Sequence, residues 1–227
     1  MMRSLLLVRD GSEAAIEKAL LSGADALVLD LAMAATAGVT GLLQDAAKDG
    51  LPLYGRIDMA KADDLTGIFP ITPRGVFLPQ SNGPADIVRL SARLNVYEAE
   101  AGLDEGSMQI IAIAAANAVG ALSMDYRDST PRLTGLGWDA GSLAGAIGPR
   151  TAQDENGDYI EPLRLARALT ILGAKAAGVM AIDTAYANLN DEAGLGRECA
   201  AAARDGFTAK IALHPAQVPA INAAFTR

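Results

Sequence analysis

The sequence predicts a (β/α)8 barrel folded as one domain over residues 1–227, and three observations predict it. Eight short apolar runs recur along the chain, at residues 5–9, 26–31, 53–58, 75–79, 109–115, 133–138, 179–183 and 210–213. Most are separated by stretches whose apolar positions fall three and four apart, the spacing of an amphipathic helix. One phrase occurs twice: residues 19–30 read ALLSGADALVLD and residues 174–183 read AKAAGVMAID. Each passes from helix through glycine into a buried strand that ends in an acid.

The elements follow in order. The first run turns strand-like too soon after Met1 to be a signal peptide. The third carries Arg56 directly behind Leu53-Tyr54-Gly55, an always-charged group inside a strand. Residues 135–148 are rich in glycine but match no phosphate-loop spacing, and close helix–strand packing accounts for them. Residues 149–162 are the most polar stretch. Their Asp154-Glu155-Asn156-Gly157-Asp158 lacks the ligand spacing of a calcium loop and reads as a solvated connection. A helix follows over residues 163–177, with Leu165, Leu169, Leu172 and Ala176 on one face as its expected buried stripe. The seventh run is wholly apolar up to Asp183. A last helix over residues 216–225 closes the barrel, and no lid domain is expected after it.

Composition narrows the function. Apolar residues make up 51% of the chain, ample for a core, while only 4% are aromatic, so Ala, Leu, Ile and Val must build it. A net charge of −8 argues against nucleic acid and anionic membranes as partners. No apolar run is long enough to span a bilayer. The single Cys199 cannot form an internal disulfide and has no neighbour to activate it, so a cytoplasmic location is the expectation.

In such a barrel the active site stands where the strands end. The polar residues expected there are Arg9, Asp10, Asp30, Arg56, Asp58, Gln80, Asn117, Asp139, Ser142, Asp183, Thr184 and His214. Arg56 needs an anion: either a structural partner such as Asp30 or a substrate carboxylate or phosphate. Asp183 and Thr184 either cap the next helix or serve the site. His214, the only histidine, has no nucleophile beside it and reads as holding the loop before the last helix. Nucleotide-binding glycine loops, zinc spacings and nucleophile elbows are absent from the sequence.

The order of phrases resembles the HpcH/HpaI aldolase/citrate lyase family, in particular its citrate lyase beta-subunit-like proteins. The resemblance runs from Arg3-Ser4-Leu5-Leu6 and Ser22-Gly23-Ala24-Asp25 through Gly55-Arg56-Ile57 and Gly75-Val76-Phe77-Leu78-Pro79. It continues in Ile182-Asp183-Thr184-Ala185-Tyr186 and closes on Lys210-Ile211-Ala212-Leu213-His214-Pro215. It implies a barrel enzyme that makes or breaks a carbon–carbon bond beside a carbonyl, acting on a 2-oxo acid or a hydroxyacyl-coenzyme A thioester. It also implies a homo-oligomer, trimer or hexamer, and a magnesium ion held by one glutamate and one aspartate.

The departures cluster where that metal belongs. Ala116 stands at the glutamate position and Ser142 at the aspartate position. Ala32-Met33 replace an acidic pair after the second run, and Gln80 replaces a lysine. The expectation is a degenerate or remodelled magnesium site, with no certain cofactor, any metal depending on a displaced set formed by Asp30, Asp58 and Asp139. Substrate contacts are expected from Arg56, Asp30, Trp138, Asp183 and Gln80, with Trp138 as a wall. No catalytic residue is assigned. The alternative is a non-catalytic relative that binds a small carboxylate, an acyl-coenzyme A or a protein partner.

Overall fold

Eight parallel strands close into a barrel in sequence order in the computed structural model, which describes residues 2–30, 37–59, 73–155 and 157–226. The strands are β1 (Ser4–Val8), β2 (Ala26–Asp30), β3 (Leu53–Arg56), β4 (Gly75–Leu78), β5 (Gln109–Ala115), β6 (Leu133–Trp138), β7 (Met180–Asp183) and β8 (Ala209–Ala212). The helices are α1 (Glu13–Leu20), α2 (Ala37–Lys48), α3 (Pro84–Ala101), α4 (Ala118–Leu122), α5 (Ala140–Ile147), α6 (Glu161–Ala176), α7 (Glu192–Asp205) and α8 (Val218–Ala224). Each strand coincides with an apolar run of the sequence. Leu31, Ala32, Met33 and Asn156 lie outside the described residues.

Strand alternation divides the core into two shells. Leu5, Val28, Tyr54, Phe77, Ile111 and Ile182 turn inward and fill the lumen. Leu6, Leu27, Leu53, Val76, Leu136 and Ala181 turn outward under the helices. With few aromatics available, branched aliphatics fill the lumen. Gly135 and Gly137 make room for them: a Cβ on either would stand 2.7 Å from Ile182 or Ile113. Packing inside the lumen, rather than of helix on strand, therefore explains these two glycines.

Two local features govern the mouth. In β5 the pairing with β6 slips between Ile113 and Ala115, an irregularity that puts both Ala114 and Ala115 in the outer shell. Ala116 is thereby turned inward among the lumen residues. The second feature is α6, which packs through Leu163, Ala166, Thr170, Gly173 and Ala174. The expected leucine stripe is corrected: Leu165 and Leu172 are exposed, because the small residues allow the helix to lie close to the barrel.

At the opposite end of the barrel Glu98 is fully buried at the end of α3. It accepts from both Arg132 Nη atoms at 2.6 Å and from the amides of Gly106 and Met108 at 2.9 and 2.8 Å. Burial alone would raise this carboxyl's pKa, but the guanidinium and amides outweigh it and hold the group at about 2.

Candidate functional site

The carboxyl ends of β1, β3, β4 and β6 surround a cavity of about 560 Å³ lined by Arg9, Arg56, Asp58, Gln80, Asp139 and Ser142, among others. Arg56 and Asp30 occupy paired positions on β3 and β2 and share the inward phase of Tyr54 and Val28. The Arg56 Nη1 donates to Asp30 Oδ2 at 3.3 Å. The pair is not sealed off: 35% of the Arg56 side chain and 26% of the Asp30 side chain remain open to solvent. Arg56 thus has the structural partner that one reading expected, and it also borders the cavity.

Asp139 is the N-cap of α5, placed by the end of β6. Its Oδ1 accepts from the Ser142 amide at 3.0 Å and its Oδ2 from the Ser142 hydroxyl at 2.8 Å. Both carboxylate oxygens therefore accept from Ser142, the residue that the resemblance sets at the aspartate position. Ala116, which the resemblance sets at the glutamate position, offers a methyl group. Among the described residues no group of three or more His, Cys, Asp or Glu is placed to hold a metal ion, and Asp30, Asp58 and Asp139 form no such group. A methyl, a hydroxyl and a capped carboxylate are a poor donor set for a hard divalent cation.

Trp138 and Asp183 stand elsewhere, which corrects their expected placement beside Arg56. Trp138 falls on the outward phase of β6, joins the outer shell and is fully buried. Its Nε1 donates to Asp183 Oδ1 at 2.7 Å. Lys210 Nζ, fully buried on β8, donates to Asp183 Oδ2 at 2.6 Å and to Glu198 Oε2 at 3.4 Å. Burial would lower the lysine's pKa, but these two carboxylates outweigh it and raise it above the ordinary value. Arg167, stacked 5.0 Å over the Phe207 ring, bonds Asp205 at 2.6 Å, and Tyr159 lies edge-on to Trp138. Asp183 does not cap the next helix: Asp191 caps α7. Thr184 accepts instead from the Ala140 amide at 3.1 Å. The outer seam thus ties down Trp138 and Ala140, the two neighbours of Asp139.

The remaining sequence candidates separate cleanly. Gln80 is exposed at the cavity, and Asn117 caps α4 while donating to Asn82 at 2.9 Å. His214 Nδ1 accepts from the Ala216 amide at 3.2 Å and caps the turn Pro215–Gln217 before α8. Burial pushes the Cys199 thiol up to about 11, so it carries no nucleophilic thiolate near neutrality. Sequence reasoning missed Arg89 and Arg93 on α3, which line the same cavity. Their four-residue spacing on the helix after the fourth strand is the signal that would have found them. It also missed Lys210 as the partner of Asp183, although a lysine inside an apolar strand is itself conspicuous.

A closed barrel with a guanidinium bordering a polar cavity at the strand ends defines the class: a (β/α)8 protein with a polar mouth. Residues 3–215 match the HpcH/HpaI aldolase/citrate lyase model, and the chain belongs to that family. It is 27% identical over 214 residues to a citrate lyase subunit beta-like protein of Mycobacterium tuberculosis, covering 90% of this chain and 72% of that protein. It is 26% identical over 247 residues to a (3S)-malyl-CoA thioesterase of Cereibacter sphaeroides, covering 99% of this chain and 77% of that one. The barrel superposes with TM-score 0.76 and 22% identity on M. tuberculosis CitE crystallised with magnesium, acetoacetate and coenzyme A, over 100% of this chain and 81% of CitE.

Proposed function

We propose that the mouth binds a 2-oxo acid or a coenzyme A thioester and that its magnesium site is degenerate. The observation that carries this reading is Arg56: an inward-facing guanidinium at a strand end, held by Asp30 yet open to the cavity. A fixed guanidinium binds a carboxylate in two-point geometry and stabilises negative charge that develops on an adjacent enolate. Family membership and the named relatives, a thioesterase and a citrate lyase-like protein, support the substrate class.

Arg9 supports the thioester in particular. It borders both the polar cavity and a mainly apolar groove of about 720 Å³ lined by Leu6, Ala19 and Leu213. An elongated ligand with an anionic acyl end and a bulkier tail matches a polar cavity opening beside an apolar one.

The degenerate metal site rests on Ala116, Ser142 and the capped Asp139. That same capping favours a second reading, a relative that binds its ligand without turning it over, because both Asp139 oxygens already accept from Ser142. The exposed Leu165 and Leu172 on α6 support a homo-oligomer formed through the outer helices. A strict monomer by light scattering at all concentrations overturns that part.

Magnesium titration by calorimetry, with and without oxaloacetate and an acyl-coenzyme A, tests the whole. The expected result is ligand binding that ignores magnesium, with magnesium-linked binding and lyase turnover appearing only in A116E/S142D. Tight, ligand-linked magnesium uptake by the natural protein overturns the degenerate site. Failure to bind any of these ligands overturns the substrate class.

A further inference from the structure

Arg89 and Arg93 are one helical turn apart on α3, beside the face that buries Ile87, Leu90 and Leu94, and both line the mouth cavity. Neither belongs to a strand end, and neither falls within the family phrases that carry the resemblance. Both are anchored. Arg89 bonds the buried Asp86, whose other oxygen accepts from the Asn82 amide at 2.8 Å. Arg93 Nη1 donates to the Met59 carbonyl at 3.3 Å, reaching across to the chain that leaves β3. The Arg89 side chain is 66% exposed. It can turn towards a ligand while Asp86 keeps its amide donor.

The cavity therefore has guanidinia from two directions: Arg9 and Arg56 from the strand ends, and Arg89 and Arg93 from α3. Of the three acids that line it, Asp139 is held by Ser142 and Asp86 by Arg89 and Asn82. We propose that Arg89 and Arg93 form a second anion anchor, so that a short dicarboxylate spans the mouth with one carboxylate on Arg56 and the other on the α3 pair. Guanidinium forks at both ends fix the ligand's length and orientation without a divalent cation. The proposal rests on the preceding reading for the location of the ligand, and it adds the residues that select for the second charge.

Calorimetry in EDTA with succinate and with butyrate, which lacks the second carboxylate, tests it on the natural protein, R89A/R93A and R93K. The natural protein is expected to prefer succinate by about tenfold or more, the size of one charge-assisted contact. R89A/R93A is expected to lose that preference while keeping its butyrate affinity and a cooperative unfolding transition, and R93K to retain part of it. Equal binding of the two acids, no binding of either in EDTA, or an unchanged preference in R89A/R93A overturns the proposal. The preceding reading fails separately. A protein that ignores oxo acids and thioesters yet loses its succinate preference in R89A/R93A keeps this inference and discards that one.

Discussion

At the mouth, Arg56 and Asp30 meet at 3.3 Å with about a third and a quarter of their side chains open to water; behind β7, Lys210 and Asp183 meet at 2.6 Å with the lysine fully enclosed. Both pairs join neighbouring strands: Asp30 and Arg56 end β2 and β3, while Asp183 at the end of β7 meets Lys210, second in β8. The difference that matters is which side of the wall the alternation puts them on. The inward pair faces a cavity, where part of its charge stays open to solvent. The outward pair lies under α6 and α7, where it has been spent on Trp138, Glu198 and each other. A charged residue at the end of a barrel strand is thus a site candidate only on the inward phase. On the outward phase it is scaffold, although here the scaffold holds the residues on either side of Asp139.

The sharpest way to break this contrast is to remove the buried cation. Lys210→Met leaves the buried Asp183 carboxylate without its lysine, and urea unfolding is expected to show a loss of about 3–5 kcal/mol. A loss below about 1 kcal/mol would mean that the seam relaxes as easily as the mouth. Acid gives the next largest effect, at the third ion pair. The folded-state pKa of Glu98 lies below its unfolded value, so its stabilisation is complete above about pH 4.5 and fades as pH falls towards about 2. Unfolding free energy is expected to drop by about 3 kcal/mol across that window, and the slope should vanish in Glu98→Gln, measured against that variant's own neutral value.

Arg56→Ala sharpens the other half of the contrast. Anion affinity is expected to fall by about tenfold or more, read by calorimetry. Stability should change by less than about 1 kcal/mol, because the pair with Asp30 is partly solvated. A large stability loss with unchanged affinity would recast Arg56 as scaffold. The smallest effect is expected from Thr184→Val, which removes the acceptor of the Ala140 amide. About 1 kcal/mol of stability should go, read by urea unfolding, with no change in anion affinity at the mouth.

The strands were legible in the sequence because buried parallel strands leave uninterrupted apolar runs, and eight of them with helical spacers leave few folds to choose from. Arg56 was legible for the same reason: a charge in such a run demands an explanation. Trp138 and Asp183 were misplaced because the sequence shows where a strand ends but not which way its last side chain points, and that phase depends on barrel closure. The α6 stripe failed for a related reason. Leucines at helical spacing mark an apolar face, but alanine and glycine decided which face approached the barrel. Arg89 and Arg93 carried only a faint signal, their four-residue spacing on α3, because the sequence does not show which face of that helix borders the mouth.

The slip in β5 aims position 116 through the backbone, whatever side chain stands there. Orientation and chemistry are therefore separable at this point of the barrel, and the chain is a scaffold open to retrofitting. Histidine or cysteine at 116 would present a softer donor than a carboxylate to the same lumen.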